Sequence, residues 1–196
     1  MRYPLVEATT SVLFLLVFWT MGWSWFTPGY WLLLSWLLAL SLIDLDTMTL
    51  PNSLTQSGLV VGLGFQLFMG WATTASLAGT INQLMVGIGG AVLGMWVLDG
   101  ITLVGTLVMG QTAMGGGDAK LTAMIGAWLG WQQVLLTGFL GCAMGAFVGG
   151  AAIALKLVSR RQPIPFGPFL ALGAGLAALF GQHMITAYIS WFFPPL

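Results

Sequence analysis

The chain has 196 residues, five of them Lys or Arg and five Asp or Glu, so its formal net charge is zero. Charged residues make up 5% and hydrophobic residues 58%; a soluble domain has about 25% charged residues, so a globule of this composition could not cover its surface in water. The composition excludes a soluble enzyme, a disordered chain and a nucleic-acid binder, and indicates a helical protein that crosses a membrane several times.

Apolar runs near 20 residues mark the spans, because about 20 residues at 1.5 Å rise cross a hydrocarbon core of about 30 Å. The first run is about Ala8 to Phe26. It follows a single Arg and lacks a small-residue cleavage site, so it reads as a retained span. It ends at the breaker Thr27-Pro28-Gly29, and the second run is about Tyr30 to Asp44. A polar segment, Asp46 to Asn52, follows, in which Pro51 cannot extend the preceding helix. The third run, about Ser53 to Trp71, carries Gly58, Gly62 and Gly64, which permit close helix contact.

Ala72 to Leu84 is the most polar long segment and reads as a loop or an interfacial helix. The fourth run, about Met85 to Met109, contains Asp99, and the glycine-rich MGQTAMGGGD separates it from a fifth at about Ala119 to Leu135. Only Trp131-Gln132-Gln133 breaks the fifth from the sixth, about Thr137 to Val158. After SRRQPIPFGPF the seventh begins near Pro168 and extends toward Ile189. The expected fold is all-α: a polytopic transmembrane helical bundle of about seven spans, or six if the fifth is short or re-entrant, forming one domain over residues 1–196.

Seven spans place the N-terminus and the loops after spans two, four and six on one side. All five basic residues, Arg2, Lys120, Lys156, Arg160 and Arg161, fall there. The positive-inside rule makes that side cytoplasmic, and it also holds Asp44, Asp46 and the Gly115–Asp118 segment. Cys142 and His183 are each the only residue of their kind. Neither a disulfide nor a metal cluster is expected from them, and Cys142 reads as a packing residue. No metal and no cofactor are expected.

An ionisable group in or beside an apolar span costs about 2.5–3.5 kcal/mol on insertion scales, which makes each acid a functional candidate. Asp44 and Asp46, two residues apart, point about 200° from each other on a helix. One can face the bundle while the other meets headgroups; alternatively both simply end the helix. The C-terminal helix dipole disposes Asp44 toward its protonated form. Asp118 follows Gly115, Gly116 and Gly117 and reads as the N-cap of the next helix, a position that keeps a carboxylate ionised. The three glycines allow close backbone approach. Lys120 can pair with Asp118 or reach headgroups. Asp99 reads as a polar contact to Thr102, Thr106 or a neighbouring helix, and Glu7 as interfacial. One acid disposed to hold a proton and one to lose it, on one membrane face, suggest a carboxylate pair that activates water.

Three segments carry a resemblance to the type IV prepilin peptidases, aspartic proteases of bacterial inner membranes. IDLDTMTLPN (Ile43–Asn52) resembles the family's first aspartate motif, with Pro51 seven residues after Asp44. GGGDAKLTAMIGAWLGW (Gly115–Trp131) resembles its GxGD signature with Lys two residues beyond, and PIPFGPFLALGAG (Pro163–Gly175) its proline- and glycine-rich segment. RYPLVE (Arg2–Glu7) is similar to the segment that follows the family's cytoplasmic domain.

The resemblance implies that Asp44 and Asp118 are the catalytic pair, with Asp46, Pro51, Gly115, Gly116, Gly117 and Lys120 supporting substrate or structure. It implies cleavage of the basic leader of prepilins or pseudopilins at the cytoplasmic face, serving pilus assembly or type II secretion. The implied partners are that substrate and the lipid bilayer, with no nucleic acid. Many members carry Cys-x-x-Cys pairs in an N-terminal zinc-binding region, to which N-methylation with S-adenosylmethionine is tied. The sequence lacks those cysteines, as either a natural short form or a piece of a longer protein would, and N-methylation does not follow from the residues present. The rival reading is a small transporter or channel that uses Asp44 and Asp99.

Overall fold

The computed structural model describes residues 2–110, 115–157 and 164–192. Within them the chain forms seven helices: α1 (Arg2–Met21), α2 (Phe26–Thr47), α3 (Asn52–Thr74), α4 (Leu77–Met109), α5 (Gly116–Leu129), α6 (Trp131–Ala154) and α7 (Gly167–Phe192). Five of them, α1, α2, α4, α6 and α7, are long and apolar enough to cross a bilayer. Helix α5 has 14 residues, about 21 Å of helix, short of the hydrocarbon thickness. The fifth segment is therefore the short form. Helix α3, expected as the third span, has 23 residues but is not among the five apolar enough to cross, and the protein is a multi-pass helical bundle.

Several boundaries differ from those expected. Thr27, Pro28 and Gly29 do not interrupt the chain but lie in the first turn of α2, where proline's missing N–H leaves no hydrogen bond unmade. Leu77 to Leu84, expected as loop or interfacial helix, opens α4, because the Ser76 hydroxyl accepts from the Gly79 N–H (3.1 Å) and caps it. The fifth and sixth segments separate at Gly130, not beyond Gln133. Gly130 takes φ +81°, a conformation glycine adopts at little cost, and both glutamines continue inside α6.

In a bilayer, burying an apolar side chain gains little over leaving it in lipid, so contact geometry and internal hydrogen bonds decide which helices associate. Helix α5 is enclosed by its neighbours: Asp118, Ala119 and every residue from Leu121 to Trp128 are buried. Small residues make the room. Side chains at Gly58 and Gly62 of α3 would collide with Met124 and Trp128, whereas Gly64 faces open space. Gly90 of α4 and Gly126 of α5 are in backbone contact, and a Cβ on either would overlap the other's carbonyl oxygen.

Polar bonds complete the enclosure. The Trp128 indole N–H donates to the Gly58 carbonyl (2.8 Å), Gln66 Nε2 to the Trp128 carbonyl (2.8 Å), and Gln83 Nε2 to Gln66 Oε1 (3.0 Å). Elsewhere α7 packs on α2 and α6, and α1 on α2, where the Trp31 indole donates to the Phe14 carbonyl (3.0 Å).

The two ends of the bundle differ chemically. Trp19, Trp23, Trp25, Trp71, Trp131 and Trp191, six of the ten tryptophans, lie at one end, where α1, α3, α5 and α7 finish and α2 and α6 begin. All six are exposed, as expected of an interfacial aromatic belt. The opposite end carries Arg2, Lys120 and Lys156 and the terminus of α2 with Asp44. Arg160 and Arg161 lie outside the described residues.

Candidate active site

Asp44 occupies the last turn of α2. The helix closes when Met48, in the left-handed conformation, donates its N–H to the Asp44 carbonyl (2.8 Å). The side chain points inward and is buried, 5% exposed. Its Oδ2 accepts a hydrogen bond from the backbone N–H of Gly167, the first residue of α7 (2.9 Å). Asp46, two residues on, is exposed, so the two carboxyls diverge as the helical spacing requires.

Asp118 stands in the first turn of α5 and is 8% exposed. The N-cap is Gly115 rather than Asp118. Burial first, and then the Asp44 carboxylate, push the Asp118 carboxyl up to about 6, against the lowering effect of the Gly115 backbone N–H. The helix start therefore does not hold Asp118 in the ordinary carboxylate range, contrary to what its place before α5 suggests. Burial and a like-charged neighbour outweigh the helix N-terminus. The same Coulombic influence marks the two carboxyls as neighbours, although 73 residues lie between them in the chain.

The supporting residues divide. Gly117 lies against Leu50, where a Cβ would come within 3.1 Å of the Leu50 Cβ, while Gly115 and Gly116 face open space. Only one of the three glycines therefore serves a close approach. Pro51 is the N-cap of α3, and its carbonyl accepts the Thr55 N–H (3.1 Å). Lys120 neither pairs with Asp118 nor reaches away to headgroups; its Nζ donates to Asn52 Oδ1 (2.7 Å). The two aspartate-bearing segments are thus joined twice, by Gly117 on Leu50 and by Lys120 on Asn52.

Asp99 stays apart from this group. Its neighbour Leu98 is buried, but Asp99 itself is exposed. The hydroxyls of Thr102 and Thr106 donate instead to the carbonyls of Leu98 (2.8 Å) and Thr102 (2.7 Å). Glu7 and His183 are also exposed. Gln111–Met114 of the glycine-rich segment, and Pro163, lie outside the described residues.

Sequence reasoning missed two residues of the site, Asn52 and Gly167. Asn52 closes the first motif and carried no signal beyond its place after Pro51. Gly167 acts through its backbone, and a backbone donor has no letter of its own. Its only mark is the run of prolines on both sides, Pro163, Pro165 and Pro168.

Residues 31–150 match the model of the type IV leader peptidase family. The chain is 39% identical over 191 residues to a prepilin leader peptidase/N-methyltransferase of Stutzerimonas stutzeri, covering 97% of this chain and 62% of that protein. A protein of the same description from Pseudomonas aeruginosa gives the same identity and coverage. One from Neisseria gonorrhoeae is 36% identical over 97% of this chain and 61% of its own length. The chain thus spans about three fifths of the length of these curated relatives. No solved structure matches it. The family match covers more than half of the chain, both aspartates included, and the chain belongs to the type IV leader peptidase family.

Proposed function

We propose that the chain is an aspartic endopeptidase of the bacterial inner membrane. It cleaves the basic leader of prepilins or pseudopilins at the cytoplasmic face, for pilus assembly or type II secretion. The observation that carries this reading is the pair of buried carboxyls, Asp44 and Asp118, close enough for the charge of one to raise the other. The relatives' description as prepilin leader peptidases supports the substrate class.

The chemistry needs only these groups and water. In the resting state the pair shares one proton, held by Asp118. Asp44 takes a proton from water, whose oxygen attacks the scissile carbonyl carbon, and Asp118 gives its proton to the carbonyl oxygen. Collapse of the tetrahedral intermediate breaks the C–N bond. One carboxyl protonates the leaving nitrogen, and the other recovers the proton released as the carbonyl reforms, so the pair again holds one proton. The roles are the reverse of those that helix-end dipoles alone suggest, because burial and the Asp44 charge raise Asp118 toward its protonated form.

Asp44→Asn and Asp118→Asn should each lower cleavage of a prepilin in detergent by at least about 1,000-fold, with the helical content and melting behaviour of a folded protein. Asp46→Asn should stay within about fivefold of wild type. Cleavage retained by both Asp44→Asn and Asp118→Asn would remove the basis of the proposal. The transporter reading has no observation in its favour, since Asp99 is exposed on α4 while Asp44 is buried against the start of α7.

A further inference from the structure

The chemistry above asks more of Asp44 than a position near Asp118. The carboxyl plane of an aspartate turns about a broad, weakly preferred torsion, so its own covalent geometry does not decide which oxygen meets the water. A partner must fix it. The bond from the Gly167 N–H to Oδ2 spans 123 residues of sequence and is buried.

We propose that the backbone N–H of Gly167 is a positioning group of the peptidase site, which commits Oδ2 of Asp44 to the start of α7 and leaves Oδ1 for the attacking water. The inference rests on the Asp44–Asp118 pair proposed above and adds a third participant to it.

Three features of the α7 start suit this role. First, the Gly167 N–H is the one first-turn donor free to leave the helix. Residue 168 is a proline and has no N–H, while the N–H groups of Phe169 and Leu170 both donate to the Phe166 carbonyl (3.1 and 3.2 Å). Second, a side chain at this position would displace the carboxyl. A Cβ on Gly167 would stand 2.7 Å from Oδ2, 3.1 Å from Cγ and 3.3 Å from Cβ of Asp44. Third, the donor is held rigidly, because Gly167 is buried and its helix is anchored on α6, where Gly141 receives Leu170 and Gly145 receives Phe166. A charge-assisted bond from a fixed backbone donor in a dry site is strong and keeps its direction during turnover.

The experiment separates positioning from simple packing. Gly167→Ala forces the carboxyl away from its place. The chain carrying glycolic acid at 167 replaces the N–H by an ester oxygen without adding a side chain, so it removes the bond and keeps the shape. Cleavage of a prepilin substrate in detergent should show kcat lowered about 10- to 100-fold in both, with KM within about threefold of wild type. Gly175→Ala, whose Cβ would make only an ordinary contact with Leu34 at 3.6 Å, controls for alanine in the same helix and should leave kcat unchanged.

If the ester chain turns over at the wild-type rate while Asp44→Asn and Asp118→Asn are inactive, the positioning role is wrong and the aspartate pair stands. A loss confined to KM or to thermal stability also overturns it. Cleavage retained by both aspartate variants would instead remove the pair, and with it the role of Gly167.

Discussion

Asp44 and Asp118 are both buried, yet their surroundings are not alike. Asp44 takes a backbone donor from another helix, whereas Asp118 has its own helix start and the charge of Asp44 acting on it. This difference has a consequence for stability. An acid whose carboxyl is held above its unfolded value binds its proton more tightly in the native protein. It therefore favours the fold below about pH 4, and that advantage is lost as the pH rises toward 6. Asp118→Asn carries no charge to bury. It should melt higher than wild type in detergent at about pH 7.5, by the equivalent of roughly 1–3 kcal/mol, with the gap closing near pH 4. Equal melting temperatures across that range would contradict it. The two carboxyls were legible in the sequence because acids are so few there. How far the Asp118 carboxyl is raised was not, because that depends on burial and on the Asp44 charge, which tertiary packing brings to it and no local pattern encodes.

Among the helices, α5 shows best how far an apolar pattern reaches. The sequence announces an apolar stretch after Asp118, but hydropathy could not find its end, since Trp131, Gln132 and Gln133 are the polar break whereas the chain turns at Gly130. What stops the helix is backbone geometry. What holds it is glycine on its neighbours, of which Gly58 and Gly62 could be anticipated and Gly90 was not. At the Gly90–Gly126 crossing the backbones touch, so Gly90→Leu should lower the melting temperature by the equivalent of at least about 2 kcal/mol. The adjacent Gly89→Leu faces open space and should melt as wild type does in the same assay. Similar melting of both variants would show that the crossing is not tight.

Over the whole molecule, charge and aromatic side chains sort to opposite ends. With Cys142 replaced by Ala, Trp23→Cys should react with a membrane-impermeant thiol reagent in intact spheroplasts, and Thr49→Cys only after lysis. The reverse pattern would turn the site away from the cytoplasm. Length and hydropathy sufficed to foresee a polytopic helical bundle; they said nothing of how the central helix gets there. Helix α5 is too short and too polar at its start, with Asp118 and Lys120, to be taken up by insertion machinery as a span in its own right. Its place must be won after synthesis of its neighbours, when α3 and α4 offer their glycines and Gln66 and Gly58 their hydrogen-bonding groups. The proposed site would therefore be completed in the second stage of membrane folding, so a chain can have the five helices able to cross a bilayer in place and still lack one of its two aspartates.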